Sequence, residues 1–80
     1  MAGNLVRLSQ LPLGKAGKIK QITAEGSVRR RMLDLGMIIN TSVEALHKSP
    51  SGDPTAYYIR GAVIALRAEL ASEILVEQYS

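Results

Sequence analysis

The rhythm of apolar and polar positions changes several times along the chain, and Gly and Pro mark the changes. Leu11-Pro12-Leu13-Gly14 has Pro second and Gly fourth, the preferences of a type I turn. Gly17 to Thr23 reads as a strand whose apolar positions, Ile19 and Ile22, are three apart. Strict alternation would put them on opposite faces, so a bend or bulge is expected there. Val28, Met32 and Leu35 then recur at i, i+4 and i+7, one apolar stripe of a helix over about 28–35, with Ser27 as N-cap and Gly36 as the left-handed residue closing it. Met37-Ile38-Ile39 is a short apolar run, and Asn40-Thr41 a turn. Ser42 to Lys48 alternates as a strand, ended by the loop Ser49 to Pro54. Thr55–Arg60 and Ala62–Leu66, with Gly61 between them, read as a tight hairpin. Arg67 to Ser72 makes a short helical turn near 67–72, and Ile74-Leu75-Val76 a closing strand.

About five short antiparallel strands and one helix leave few architectures for 80 residues. The expectation is one mainly β domain over 1–80, a small, strongly bent SH3-like barrel, because closure removes the exposed edges of so small a sheet. Apolar residues at 46% and charged ones at 21% are an ordinary globular balance, so disorder is not expected. With no cysteine, neither a disulfide nor a thiolate metal site staples the fold. The first residues lack the basic and apolar pattern of a signal peptide, and the longest apolar run, Ala62 to Leu66, is far too short to span a bilayer. A cytoplasmic location is expected.

Charge is mild in total, +3, and uneven in distribution. Seven of the ten basic residues lie in the first forty positions, against only Glu25 and Asp34, whereas five of the seven acidic residues follow. A basic half suits an acidic protein or nucleic acid, and equally a solvated face. Enzyme chemistry finds little support. His47 is the one histidine and has no glycine-flanked nucleophile near it. Gly14-Lys15-Ala16-Gly17-Lys18 looks like a phosphate loop but lacks its first glycine, and Ile19 stands where Ser or Thr would hold magnesium. Glu44, His47 and Asp53 cluster loosely as metal ligands, yet parity puts Glu44 and His47 on opposite faces, so no metal or cofactor is expected. Single-strand binding by stacking would rest on Tyr57, Tyr58 and Tyr79 alone, and of the adjacent Tyr57 and Tyr58 one should enter the core; no specific nucleic acid is expected. Arg29, Arg30 and Arg31, set in the first turn of the expected helix, oppose its dipole unless a partner's carboxylates or phosphates hold them.

The ordered set Leu8-x-x-Leu11-x-x-Gly14-x-x-Gly17-x-Ile19-x-x-Ile22, Arg31-Met32-x-x-Leu35-Gly36-Met37, Val43-x-x-Leu46, Pro50-x-Gly52-Asp53-Pro54, Gly61-x-x-Ile64-Ala65-Leu66-Arg67 and Ala71-x-x-Ile74-x-Val76 resembles the FeoA family over nearly the whole chain. Met32 stands where leucine is usual, and Ile39-Asn40 replaces the usual Pro-Gly, although Asn also adopts the left-handed conformation. The resemblance implies an SH3-like barrel that is not an enzyme. It implies a small cytoplasmic accessory of ferrous iron uptake, acting through protein–protein contacts on FeoB, the membrane transporter with a GTPase domain. The same domain occurs at the C-terminus of iron-dependent repressors, so a nucleic-acid-binding barrel or a transcription-regulator interaction module is the alternative.

The family fixes no contact surface by motif, so the residues must indicate it. Arg29 and Arg30 are expected to supply charge, and Met37 or Ile38 an apolar anchor, because a barrel end has little room to bury Met37, Ile38 and Ile39 together. The competing expectation is that all three pack beneath the helix.

Overall fold

The computed structural model describes residues 5–79. The chain runs β1 (Leu5–Arg7), a 3-10 turn (Leu8–Gln10), β2 (Ala16–Ile22), α1 (Gly26–Asp34), β3 (Ser42–Lys48), β4 (Thr55–Ile59), β5 (Ala62–Leu66), α2 (Ala68–Ala71) and β6 (Ile74–Gln78). All strand pairs are antiparallel, in the order β1-β6-β2-β3-β4-β5. The mainly β expectation holds, with six strands instead of about five. The additional one, β1, is three residues long, too short to show an alternation, and exists because β6 offers it a pairing edge.

Several elements stand where the pattern puts them. The β2–β6 register shifts between Ile19 and Gln21, and that bulge turns both Ile19 and Ile22 into the core. The β4–β5 hairpin closes on Arg60 and Gly61 at φ 52° and 83°, the two positive angles that a type I′ turn requires. Asn40 takes φ 75° in the turn before β3. Tyr57 is buried and Tyr58 exposed, as alternation demands. Gly17, in the segment that resembles a phosphate loop, serves packing: a Cβ on it would lie 2.7 Å from the Glu77 carbonyl oxygen on β6. The first turn lies one residue later than expected. Leu11 closes the 3-10 turn by donating to the Leu8 carbonyl, and the next turn bond runs from Lys15 N–H to the Pro12 carbonyl at 3.0 Å.

The strands and α1 enclose a core in which Leu8, Ile19, Met32, Met37, Ile59, Ile74 and Val76 are essentially inaccessible. Tyr57 completes it, and its hydroxyl donates to the Leu8 carbonyl at 3.3 Å. Burial pushes this phenol above its ordinary value.

Two expectations need correction. A second bulge, between Ala45 and His47, leaves Glu44 opposite Tyr58 and His47 opposite Ala56. Since Tyr58 and Ala56 are two apart on β4, Glu44 and His47 share one face of the sheet rather than lying on opposite faces. The helix also starts earlier than Ser27 would cap it. Glu25 is the N-cap residue and makes no side-chain cap bond, and Ser27 lies inside the helix. Of the expected inward stripe only Met32 is buried, whereas Val28 and Leu35 are 43% and 39% exposed.

Candidate protein-interaction face

The phase of α1 decides what this end of the molecule presents. At about 100° per residue, Val28, Arg31 and Leu35 lie on one side of Met32 and Arg29 on the other. Arg29 is half-buried and its Nη1 donates to the Ile22 carbonyl at 2.9 Å, at the end of β2. That bond draws the Arg29 side of the helix down against the sheet and turns Val28 and Leu35 away from the core. Arg29 is thus committed to an internal partner. Arg30 is exposed with its charge unpaired among the described residues. The arginine triplet does not occupy the first turn as expected. The early start of α1 moves it inward, and Arg31 stands in the last turn, where the helix dipole favours a cation.

The end of α1 settles the apolar run. Leu35 is the C-cap and Gly36 follows at φ 94°. Gly36 donates its N–H to the Leu33 carbonyl at 3.0 Å and Met37 donates to the Met32 carbonyl at 3.1 Å, the paired bonds of a Schellman motif. That motif brings the residue after the glycine against the last inward residue of the helix. Met37 accordingly packs with Met32 and has no exposure at all, which removes it as the expected surface anchor. Ile38 and Ile39 stay outside at 43% and 41% exposed, so the run divides: one residue in, two out.

Val28 and Leu35 line a groove of about 570 Å³ between α1 on one side and β5 with α2 on the other. Leu66 and Leu70 complete its apolar floor, and Arg31, Arg67, Glu69 and Glu73 stand around it. The sequence pattern identified Val28 and Leu35 as one stripe but assigned that stripe to the core. Leu70 was not singled out, although its apolar side chain stands alone between Glu69 and Ala71 in a segment read as helical.

The remaining candidates divide among other roles. The Pro50–Pro54 loop caps the start of α2 rather than forming a free surface feature: Asp53 Oδ1 accepts the Ala68 N–H at 2.8 Å, and its other oxygen lies 3.6 Å from Arg67. Glu44 and His47 share a face, but no group of three or more potential metal ligands exists among the described residues. Tyr79 is exposed, with its hydroxyl 2.7 Å from Ser42 Oγ. Among the same residues no helix is long and apolar enough to cross a membrane.

Residues 6–78 match the FeoA domain family. Over 75 residues the chain is 32% identical to a fusion of Fe(2+) transport protein A with the Fe(2+) transporter FeoB from Porphyromonas gingivalis. The match covers 94% of this chain and 9% of that much longer relative. Among solved structures, a FeoA-like protein from Clostridium acetobutylicum superposes with a TM-score of 0.89 at 32% identity, covering 100% of this chain and 92% of that one. A zinc complex of Stenotrophomonas maltophilia FeoA, described as a prokaryotic SH3 domain protein, gives a TM-score of 0.81 at 26% identity over 92% and 95% of the two chains. With the family match running through every described strand and the likeness extending over whole folds, this chain belongs to the FeoA family and has its SH3-like architecture.

Proposed function

We propose that the chain is a cytoplasmic accessory domain of ferrous iron uptake that binds the cytosolic part of a FeoB-type transporter through protein–protein contacts, with no catalysis of its own. The observation that carries this reading is the Porphyromonas gingivalis relative, in which a domain like this one is joined covalently to FeoB. A fusion keeps two domains at high effective concentration, which is of use when they act on one another. The surface agrees in character. The groove between α1 and α2 offers Val28, Leu35 and Leu70 as apolar floor with charge of both signs around it, while the exposed Arg30 and Ile38 stand outside it, on the solvent side of α1 and beyond its end. An apolar centre with a polar rim is the anatomy of a protein-binding patch.

The test is a pull-down of the transporter's cytosolic domain with and without guanine nucleotide, using the intact chain and the variants Leu35→Glu and Arg30→Glu. Retention by the intact chain and loss with Leu35→Glu supports the reading. Equal retention of both variants moves the contact elsewhere, and no retention in either nucleotide state overturns the proposal.

A further inference from the structure

The outer face of the sheet carries a second pocket, of about 350 Å³, which shares no residue with the groove between α1 and α2. Strand pairing places its residues. Ala16 of β2 stands opposite Glu44 of β3, and Glu44 opposite Tyr58 of β4, so the three form one row across the sheet. Tyr58 is exposed, whereas Ala16 and Glu44 are half-buried. Arg60, two residues beyond Tyr58, is a diagonal neighbour of Glu44, and such positions lie about 7–8 Å apart. Ser42, the preceding outward position on β3, already engages the Tyr79 hydroxyl at 2.7 Å. Two local devices hold Arg60 at the pocket. Its φ of 52° occupies a turn position where Asn, Asp or Gly is preferred. Gly36 leaves room for its stem, since a Cβ there would lie 3.2 Å from Arg60 Cδ. The fold uses neither charge. The Glu44 carboxylate and the Arg60 guanidinium line the same pocket, and among the described residues neither makes a hydrogen bond or an ion pair, even with the other.

Opposite charges left apart in one pocket restrict its occupant. A lone cation drawn to Glu44 would also face Arg60, and a lone anion drawn to Arg60 would also face Glu44. The complementary ligand presents donors along one edge and acceptors along another, on a flat body that stacks on the Tyr58 ring. Guanine has that form. Its N1–H and N2–H₂ are adjacent donors for the two oxygens of a carboxylate, and O6 and N7 are adjacent acceptors for an arginine fork. Adenine and cytosine set a ring-nitrogen acceptor beside the amino group, and uracil sets its N–H between two carbonyls, so each brings a lone pair against Glu44. A peptide with one basic and one acidic side chain would also match the charges. It must order two long side chains, however, whereas a base holds both edges in one rigid plane.

We propose that the pocket of Tyr58, Glu44 and Arg60 binds a guanine base, stacked on Tyr58, with Glu44 accepting from N1–H and N2–H₂ and Arg60 donating to O6 and N7. The experiment titrates the ¹⁵N-labelled chain with the 5′-monophosphates of guanosine, inosine and adenosine. Guanosine monophosphate shifts the amide signals of Glu44, Tyr58 and Gly61. Adenosine monophosphate binds at least about tenfold more weakly, having lost the bidentate pair with Glu44. Inosine monophosphate, which lacks only the N2 amine, falls between them. Glu44→Gln keeps the shape of the side chain and removes the preference for guanine over adenine. Arg60→Asn supplies a residue that suits the left-handed turn and weakens guanosine monophosphate at least about tenfold. Should Arg60→Asn disturb the hairpin, seen as displaced signals at Tyr57 and Ile59, the Glu44→Gln result decides alone. A short oligouridylate with and without one central guanine separates the two sources of the base. Tighter binding of the guanine strand than of the mononucleotide assigns the site to single strands, and binding no tighter assigns it to a free nucleotide. Equal binding of the three nucleotides, the same response to ribose 5-phosphate, shifts confined to another face, or no change at millimolar nucleotide overturns the proposal. So does a blocked Arg-Glu dipeptide that shifts the same amides more strongly than guanosine monophosphate, which would make a peptide the occupant. No transporter is present, so this result and the pull-down are read independently.

Discussion

Arg29 Nη1 donates to the carbonyl oxygen of Ile22 at 2.9 Å, tying the second turn of α1 to the end of β2. This single contact sets which side of the helix faces the groove. Arg29→Met keeps the stem and removes the donor, so a loss of about 1–2 kcal/mol in urea unfolding is expected, the range for a charged hydrogen bond and the acceptor it leaves. Arg30→Met, one residue along and exposed, changes stability by no more than about 0.5 kcal/mol.

Met37 and Ile38 are neighbours in sequence with opposite surroundings. Met37→Ser empties a fully buried site against Met32 and is expected to cost about 2–5 kcal/mol, read as a lowered denaturation midpoint. Ile38→Ser leaves the midpoint within about 0.5 kcal/mol of the parent, and weakens retention of the transporter's cytosolic domain.

Gly17→Ala tests the closeness of β2 and β6. The added methyl would meet the backbone oxygen of Glu77 at 2.7 Å, a group that cannot swing aside as a side chain end does. The strands must separate, and a loss of roughly 2–3 kcal/mol is expected in the same unfolding measurement.

Tyr57 gives the fold an alkaline limit. Burial raises its folded-state value above the ordinary one, so the folded chain holds the phenolic proton more tightly than the unfolded chain does. The associated stability is complete below about pH 10 and is lost as pH rises through the raised value. Tyr57→Phe removes this dependence, so the variant's stability falls less between neutral pH and pH 11 than the parent's. At neutral pH the variant is weaker by about 0.5–1.5 kcal/mol for the bond to Leu8.

The features that could be read from sequence are those decided within a few residues. Ile19 and Ile22, three apart in a strand, demanded a bulge, and Arg60-Gly61 between two β-forming runs demanded a tight turn. Tyr57 and Tyr58 had to part by alternation. Met37 was also legible in principle, since a glycine closing the helix marks its successor for contact with Met32. The phase of α1 was not legible, because Val28, Met32 and Leu35 form a stripe whichever side of it meets the sheet. The choice rests on Arg29 reaching Ile22, a tertiary contact. The bulge that brings Glu44 and His47 to one face depends likewise on where β4 pairs. The groove depends on the first of these, since α1 supplies one wall and β5 with α2 the other.

The position of β6 between β1 and β2 has a kinetic consequence. β3, β4 and β5 form a meander of short loops, whereas β6 must find β1 across most of the chain, with Leu5 opposite Glu77. Loop closure over that span carries far more entropy cost than the turns of the meander. The meander is therefore the expected nucleus, with Tyr57→Phe slowing folding, while Val76→Ala acts chiefly by speeding unfolding; stopped-flow rates of the two variants would show the reverse if β6 docks early. During synthesis the sheet then remains two separate pieces until its last strand has emerged.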